Sequence, residues 1–135
     1  MDKSIFKAYD VRGKYPKEIN EKDAEIISGV LAAHFRSGEV VVGHDARKSS
    51  PKLYRAVIRG LEKTDSKITL IKVGLITSPL LYFLVTRVGA KGGVMVTASH
   101  NPKEYNGLKV VGRGAEPMSG KDIWKMVQKK RVVEK

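Results

Sequence analysis

Short β-branched runs that alternate with amphipathic stretches of about a dozen residues constrain this chain more than any other feature, since such segments bury their apolar surface together only as βαβ units. Val40-Val41-Val42 would present apolar side chains to both faces of a strand, as a strand covered on both sides requires. Before it, Asn20 is an N-cap candidate and Glu21 and Asp23 suit the positive end of a helix dipole. Ala24, Ile27, Leu31 and Phe35 then recur at helical spacing to about Arg36, and Ser37-Gly38 closes the helix. After the strand, Ser50-Pro51 opens a second helix, whose stripe is Leu53, Ala56, Val57, Gly60 and Leu61. Residues 67–73 form another strand. Thr77-Ser78-Pro79 opens a third helix, whose run from Leu80 to Val85 is expected to pack into the core, and residues 92–97 make a fourth strand. At the start, residues 4–9 suggest a strand leading into a loop punctuated by Gly13 and Pro16. At the end, Met118-Ser119-Gly120 followed by Ile123, Trp124, Met126 and Val127 indicates a last amphipathic helix with Trp124 in the core. The expected class is therefore α/β: a single three-layer domain with a mixed, largely parallel sheet covered by helices. A chain of 135 residues suffices for one such core.

Composition narrows the functions. The chain has no cysteine, which excludes disulfides and thiolate metal sites, and the default reading is a cytoplasmic protein. No stretch approaches the roughly 18 apolar residues of a membrane span. Twenty-six Lys and Arg against fourteen Asp and Glu give a net charge of +12, which favours anionic partners: phosphosugars, nucleic acid or a membrane surface. The excess is densest at Lys121, Lys125, Lys129, Lys130, Arg131 and Lys135, which read best as the solvated face of a terminal helix. Nucleic-acid binding is the weaker alternative, because aromatic residues are not interleaved with the basic ones.

In an open α/β sheet, ligands collect at the carboxyl ends of strands, and the loops after Tyr9, Gly43 and Thr97 are expected to share that edge. The third carries the most chemistry: Thr97-Ala98-Ser99-His100-Asn101-Pro102, followed by Tyr105-Asn106-Gly107-Leu108-Lys109. The Ser99 hydroxyl can carry a phosphoryl group, and His100 can move a proton or hydrogen-bond an oxyanion. Lys109 can supply positive charge or, once deprotonated, a base. Asn101-Pro102 and Asn106-Gly107 read as turns that fold the backbone around the serine. Singly, each residue is unremarkable: a turn serine, a solvated histidine, a surface lysine.

Together they resemble the phosphoserine loop of the α-D-phosphohexomutases, the phosphomannomutase/phosphoglucomutase family, whose pattern is Thr-x-Ser-His-Asn-Pro with Tyr-Asn-Gly and a lysine downstream. Tyr9-Asp10-Val11-Arg12-Gly13 resembles that family's Tyr-Asp-x-Arg-Gly signature. Gly43-His44-Asp45-Ala46-Arg47-Lys48-Ser49-Ser50 resembles its Gly-x-Asp-x-Arg-x-Ser-Ser signature. Each also has a plainer reading, an Asp10–Arg12 pair across a turn in the first and capping of the following helix by Asp45, Ser49 or Ser50 in the second.

The resemblance runs over residues 6–114 and covers the first of the family's four domains, so residues 1–135 read as domain I with domains II, III and IV absent. It implies an enzyme interconverting hexose 1-phosphates and 6-phosphates, in which Ser99, as phosphoserine, gives up its phosphoryl group and takes back another from a bisphosphate intermediate. Lys109 would be the general base and His100 would assist it. Tyr9, Arg12, Arg47, Asn101 and Asn106 would line the substrate site. Mg²⁺ would bind the phosphorylated Ser99, with three aspartates of an Asp-x-Asp-x-Asp loop that this sequence lacks. A cloned or proteolysed fragment, a split enzyme completed by a second polypeptide, and a non-catalytic interaction subunit all remain open. A chain limited to this domain is expected to lack sustained mutase activity alone.

Overall fold

The computed structural model describes residues 1–63 and 65–134; Lys135, the last member of the expected basic face, lies outside them. Its helices are α1 (Glu21–Phe35), α2 (Ser50–Glu62), α3 (Ser78–Arg87) and α4 (Gly120–Glu134), and its strands are β1 (Val11–Lys14), β2 (Ser37–His44), β3 (Lys67–Leu75), β4 (Gly92–Val96) and β5 (Tyr105–Val111). They form one five-stranded sheet in the order β1-β5-β4-β2-β3. β2 runs parallel to both β3 and β4, while β5 is antiparallel to both β4 and β1. The sheet is therefore mixed, a parallel core with an antiparallel arm.

Valines sort the layers by parity. Val40, Val42, Val94, Val96 and Val110 face a core closed by α1, α2 and α4, whereas Val41, Met95 and Val111 face the opposite side with Leu81 and Val85 of α3. Alternate residues of one strand thus enter different layers, which explains why β2 and β4 lack polar alternation. Helix α1 starts at a capping box: Asn20 Oδ1 accepts from the Asp23 N–H at 3.0 Å, and Asp23 Oδ2 accepts from the Asn20 N–H at 3.2 Å. Helices α1 and α2 approach closely at Gly60, where a Cβ would run into the Glu25 carbonyl.

Three expectations need correction. Residues 4–9 contain the end of a 3₁₀ turn (Lys3–Ile5) and a single bridge from Phe6 to Val11, and the strand lies in the segment expected to be loop. The Tyr105–Val111 segment is strand β5, and Asn106-Gly107 is not a turn. Gly107 is needed because a Cβ would collide with the Val11 carbonyl of the neighbouring strand. Helix α3 buries only Leu81 and Val85; Leu80 and Phe83 are exposed, so its apolar run meets the core on one side only. In α4, Ile123 and Val127 are buried and the basic residues from Lys121 to Arg131 are exposed. Trp124 packs half-buried against the core, its ring tilted at 49° to that of Phe6 with Arg131 over it. No described helix is long and apolar enough to cross a membrane.

Candidate active site

The carboxyl ends of β2, β3 and β4 fall on one edge of the sheet, as their register requires: His44 pairs with Leu75 on one side and Val96 on the other. The loops leaving β2 and β4 meet there. Arg12 arrives differently, from within β1, whose first residue Val11 is opposite Leu108 and so level with Val96. Two of the three expected loops therefore leave carboxyl ends, while the Arg12 segment enters beside them as an antiparallel arm.

Ser99 is exposed at the head of the loop after β4, with φ of 54°. A non-glycine residue in this left-handed region is held there by its surroundings. Its N–H donates to Thr97 Oγ1 at 3.1 Å, and the loop turns by a bond from the Asn101 N–H to the Ala98 carbonyl at 3.1 Å. His100 is exposed beside it. Ser99 and His100 form one wall of an open groove of about 840 Å³; residues of the segment from Leu75 to Leu80 form the other.

The Arg47 guanidinium laces this loop from outside. Its Nη1 donates to the carbonyls of Pro102 (2.6 Å) and Tyr105 (3.1 Å), its Nη2 to those of Ser99 (3.0 Å) and Asn101 (2.8 Å), and its Nε to Asp45 Oδ2 (3.2 Å). Those bonds engage all the N–H donors of the group, so the structure places Arg47, expected at the substrate, on the serine loop. Asn106 is likewise placed within the protein frame of the loop. It is fully buried, its amide nitrogen donates to Ser49 Oγ (2.8 Å) and Ser50 Oγ (2.9 Å), and its Oδ1 accepts from the Gly107 N–H (2.9 Å). Ser49 is the N-cap of α2 but makes no side-chain cap bond. The serines and Asp45 thus serve the junction between loops more than the helix end: Asp45 Oδ1 takes the Ser50 hydroxyl at 2.5 Å and the Arg47 N–H at 3.0 Å.

On the other side stand Arg12 and Lys109, joined by a carboxylate that the sequence marked only as a partner for Arg12. Asp10 is 2% exposed; its Oδ1 is 2.9 Å from Arg12 Nε and its Oδ2 is 3.8 Å from Lys109 Nζ. Arg12 also donates through Nη1 to Asn101 Oδ1, which ties it to the serine loop. Asn101 is therefore a loop contact through its carbonyl and a partner of Arg12 through its side chain. Tyr9 is 73% exposed next to this pair. The spacing of Asp10 from Arg12 signalled that pair, but nothing in it signalled Lys109, which arrives from β5.

Among the described residues no three acidic or histidine side chains gather into a metal site. Asp45 is the acidic residue on the Ser99 groove, and both of its oxygens are already bonded. This chain alone does not fit a Mg²⁺ site, because a hard cation needs several oxygen ligands at once.

A hydroxyl held at a strand end by a laced loop, with paired cations beside it, is an arrangement that the comparisons make specific. The model of phosphoglucomutase/phosphomannomutase, alpha/beta/alpha domain I, matches residues 3–132. The chain belongs to that family. A relative named phosphohexose mutases, from Xanthomonas campestris pv. campestris, is 47% identical over 88% of this chain and 26% of its own length. A Klebsiella pneumoniae protein named phosphomannomutase is 41% identical over 87% of this chain and 73% of its own. The crystal structure of a phosphoglucomutase/phosphomannomutase family protein from Burkholderia thailandensis superposes with a TM-score of 0.84 and 34% identity, covering 99% of this chain and 31% of that one. The chain spans about a quarter of the length of the Xanthomonas, Escherichia coli and Salmonella relatives it matches.

Proposed function

We propose that this chain is the phosphoserine-bearing domain I of a cytoplasmic phosphohexomutase that interconverts hexose 1-phosphates and 6-phosphates. In the forward step a hydroxyl oxygen of the bound hexose monophosphate attacks the phosphorus on Ser99. The bond from phosphorus to Ser99 Oγ breaks, the serine oxygen keeps that electron pair, and the hydroxyl proton passes to Lys109 with His100 assisting. In the return step Ser99 Oγ attacks the other phosphate of the bisphosphate, the bond from that phosphorus to the sugar oxygen breaks, and the sugar oxygen keeps the electron pair and takes back the proton held by Lys109. The observation that carries this reading is the exposed Ser99 hydroxyl on a loop fixed in a positive-φ turn and tied through Asn101 to Arg12, which shares Asp10 with Lys109. Phosphoryl transfer asks a protein chiefly for positioning and for positive charge around the transferred group; the held loop supplies the first and Arg12 the second, while Lys109 must be unprotonated to take the hydroxyl proton.

The family's Mg²⁺, when bound, would neutralise charge on the phosphoryl oxygens. From this chain it would meet only those oxygens on Ser99, with its carboxylate ligands from elsewhere, and no step above is routed through it. Whether the rest of the site belongs to the same polypeptide or to a second one does not change what Ser99 does.

The test replaces the matched segment of the Xanthomonas relative with this chain and measures conversion of hexose 1-phosphate to 6-phosphate, along with the mass gain of one phosphoryl group on the chain. Ser99→Ala should abolish both. Turnover that persists undiminished in Ser99→Ala rules out Ser99 as the phosphoryl carrier.

A further inference from the structure

We infer that Arg47 is a positioning residue for Ser99: it sets the loop that presents the reacting hydroxyl and leaves phosphate binding to other cations. The inference deepens the proposed function and rests on it only for its turnover readout.

The case begins with donor capacity. A guanidinium has five N–H bonds in a fixed plane. Here each has a protein acceptor, and the side chain is only 14% exposed. Four of the acceptors are main-chain carbonyls of Ser99, Asn101, Pro102 and Tyr105, so one side chain holds both ends of the loop. Asp45 fixes the arginine in turn, through Nε at 3.2 Å and through the Arg47 main-chain N–H at 3.0 Å. The Ser50 hydroxyl on Asp45, and Asn106 on Ser49 and Ser50, join this frame to the start of α2 and to β5. Ser99 is consequently restrained on both sides of its φ of 54°, by Thr97 at its N–H and by Arg47 at its carbonyl. A residue in that conformation persists only where neighbours over-determine it.

Charge alone cannot do this. Lysine is a point charge with three rotatable donors and cannot reproduce a planar fork over four carbonyls, whereas at a phosphate contact it is a serviceable replacement. Arg47→Lys therefore separates loop positioning from anion binding.

The experiment measures amide hydrogen exchange at Ser99, Asn101 and Tyr105 in the chain itself, unsubstituted and as Arg47→Lys and Arg47→Gln. The same substitutions are assayed for kcat and KM in the mutase chimera. Protection at those amides should fall by at least roughly tenfold in both variants while α1 and β4 stay protected, and kcat should drop about a hundredfold with KM little changed, as misplacement of a reacting group does. Unchanged protection overturns the inference, and so does an Arg47→Lys protein that regains both protection and turnover. If one variant does not fold, the other decides. If the unsubstituted chimera shows no turnover, the proposed function fails while the exchange result still decides whether Arg47 holds the loop.

Discussion

Arg12 and Arg47 flank the same serine loop and carry the same charge, yet they are built into the protein in opposite ways. Arg47, 14% exposed, gives every donor to the protein. Arg12 is 32% exposed; its Nε is on Asp10 and one Nη1 hydrogen is on Asn101, and among the described residues its remaining donors meet no protein acceptor. Its bond to Asn101 holds those free donors at the serine loop. The contrast shows that a cation's part in an anion site is read from the donors it has left, not from its presence in a signature.

Asn106→Ala should produce the largest loss on the frame side. The amide is fully buried, and its removal strands the Gly107 N–H and takes a donor from Ser49 and Ser50, of which Ser50 keeps its bond to Asp45; at about 1–3 kcal/mol for an unsatisfied buried group this suggests a loss of about 2 kcal/mol in unfolding free energy. Urea unfolding followed by circular dichroism measures it. A change within about 0.5 kcal/mol, typical of surface substitutions, would mean that the frame is not a structural unit and the contrast with Arg12 collapses.

Arg12→Ala should do the reverse. Its pair with Asp10 is part-exposed and Asp10 keeps Lys109, so the fold should lose only about 1 kcal/mol. Inorganic phosphate binding, followed by NMR titration of the serine-loop amides, should weaken severalfold and become less salt-sensitive. Equal phosphate affinity in Arg12→Ala and the unsubstituted chain would erase the distinction from the other side.

The sequence carried the parallel core well because both of its signals are local. The Asn20 box, the Ser50-Pro51 start and the apolar parity of β2 and β4 each lie within a few residues of the feature they specify. It missed the antiparallel arm because Asn106-Gly107 has turn chemistry, while what decides it is a contact with Val11 across the sheet. The same holds at the site. Ser99, His100 and Lys109 were marked by their neighbours in sequence. The roles of Arg47, Asn106 and Asp10 depend on partners as far apart as β1 and β5, which no spacing within a motif reveals.

A smaller effect lies where β1 meets the far end of the serine loop. The Tyr15 N–H donates to the Glu104 carbonyl at 2.8 Å, and its hydroxyl donates to Glu21 in the first turn of α1. That hydrogen bond, with lesser help from burial and from the Glu21 charge, pushes the phenol up to about 12 from its usual value near 10. Folding therefore favours the protonated phenol. The stabilisation is fully present below about pH 10 and is lost as pH rises through about 12, because in that window the unfolded chain has released a proton that the folded chain retains. Unfolding midpoints across this range should fall more steeply for the unsubstituted chain than for Tyr15→Phe, and titrations common to both, such as those of the lysines, cancel in the difference. Tyr15 is only partly buried, so the difference should be the smallest of these effects, and the loop lace should not register it. If phosphate affinity also changed in Tyr15→Phe, the β1 arm and the serine loop would be coupled more tightly than the Arg47 frame requires, and Arg12 would have to be counted within that frame.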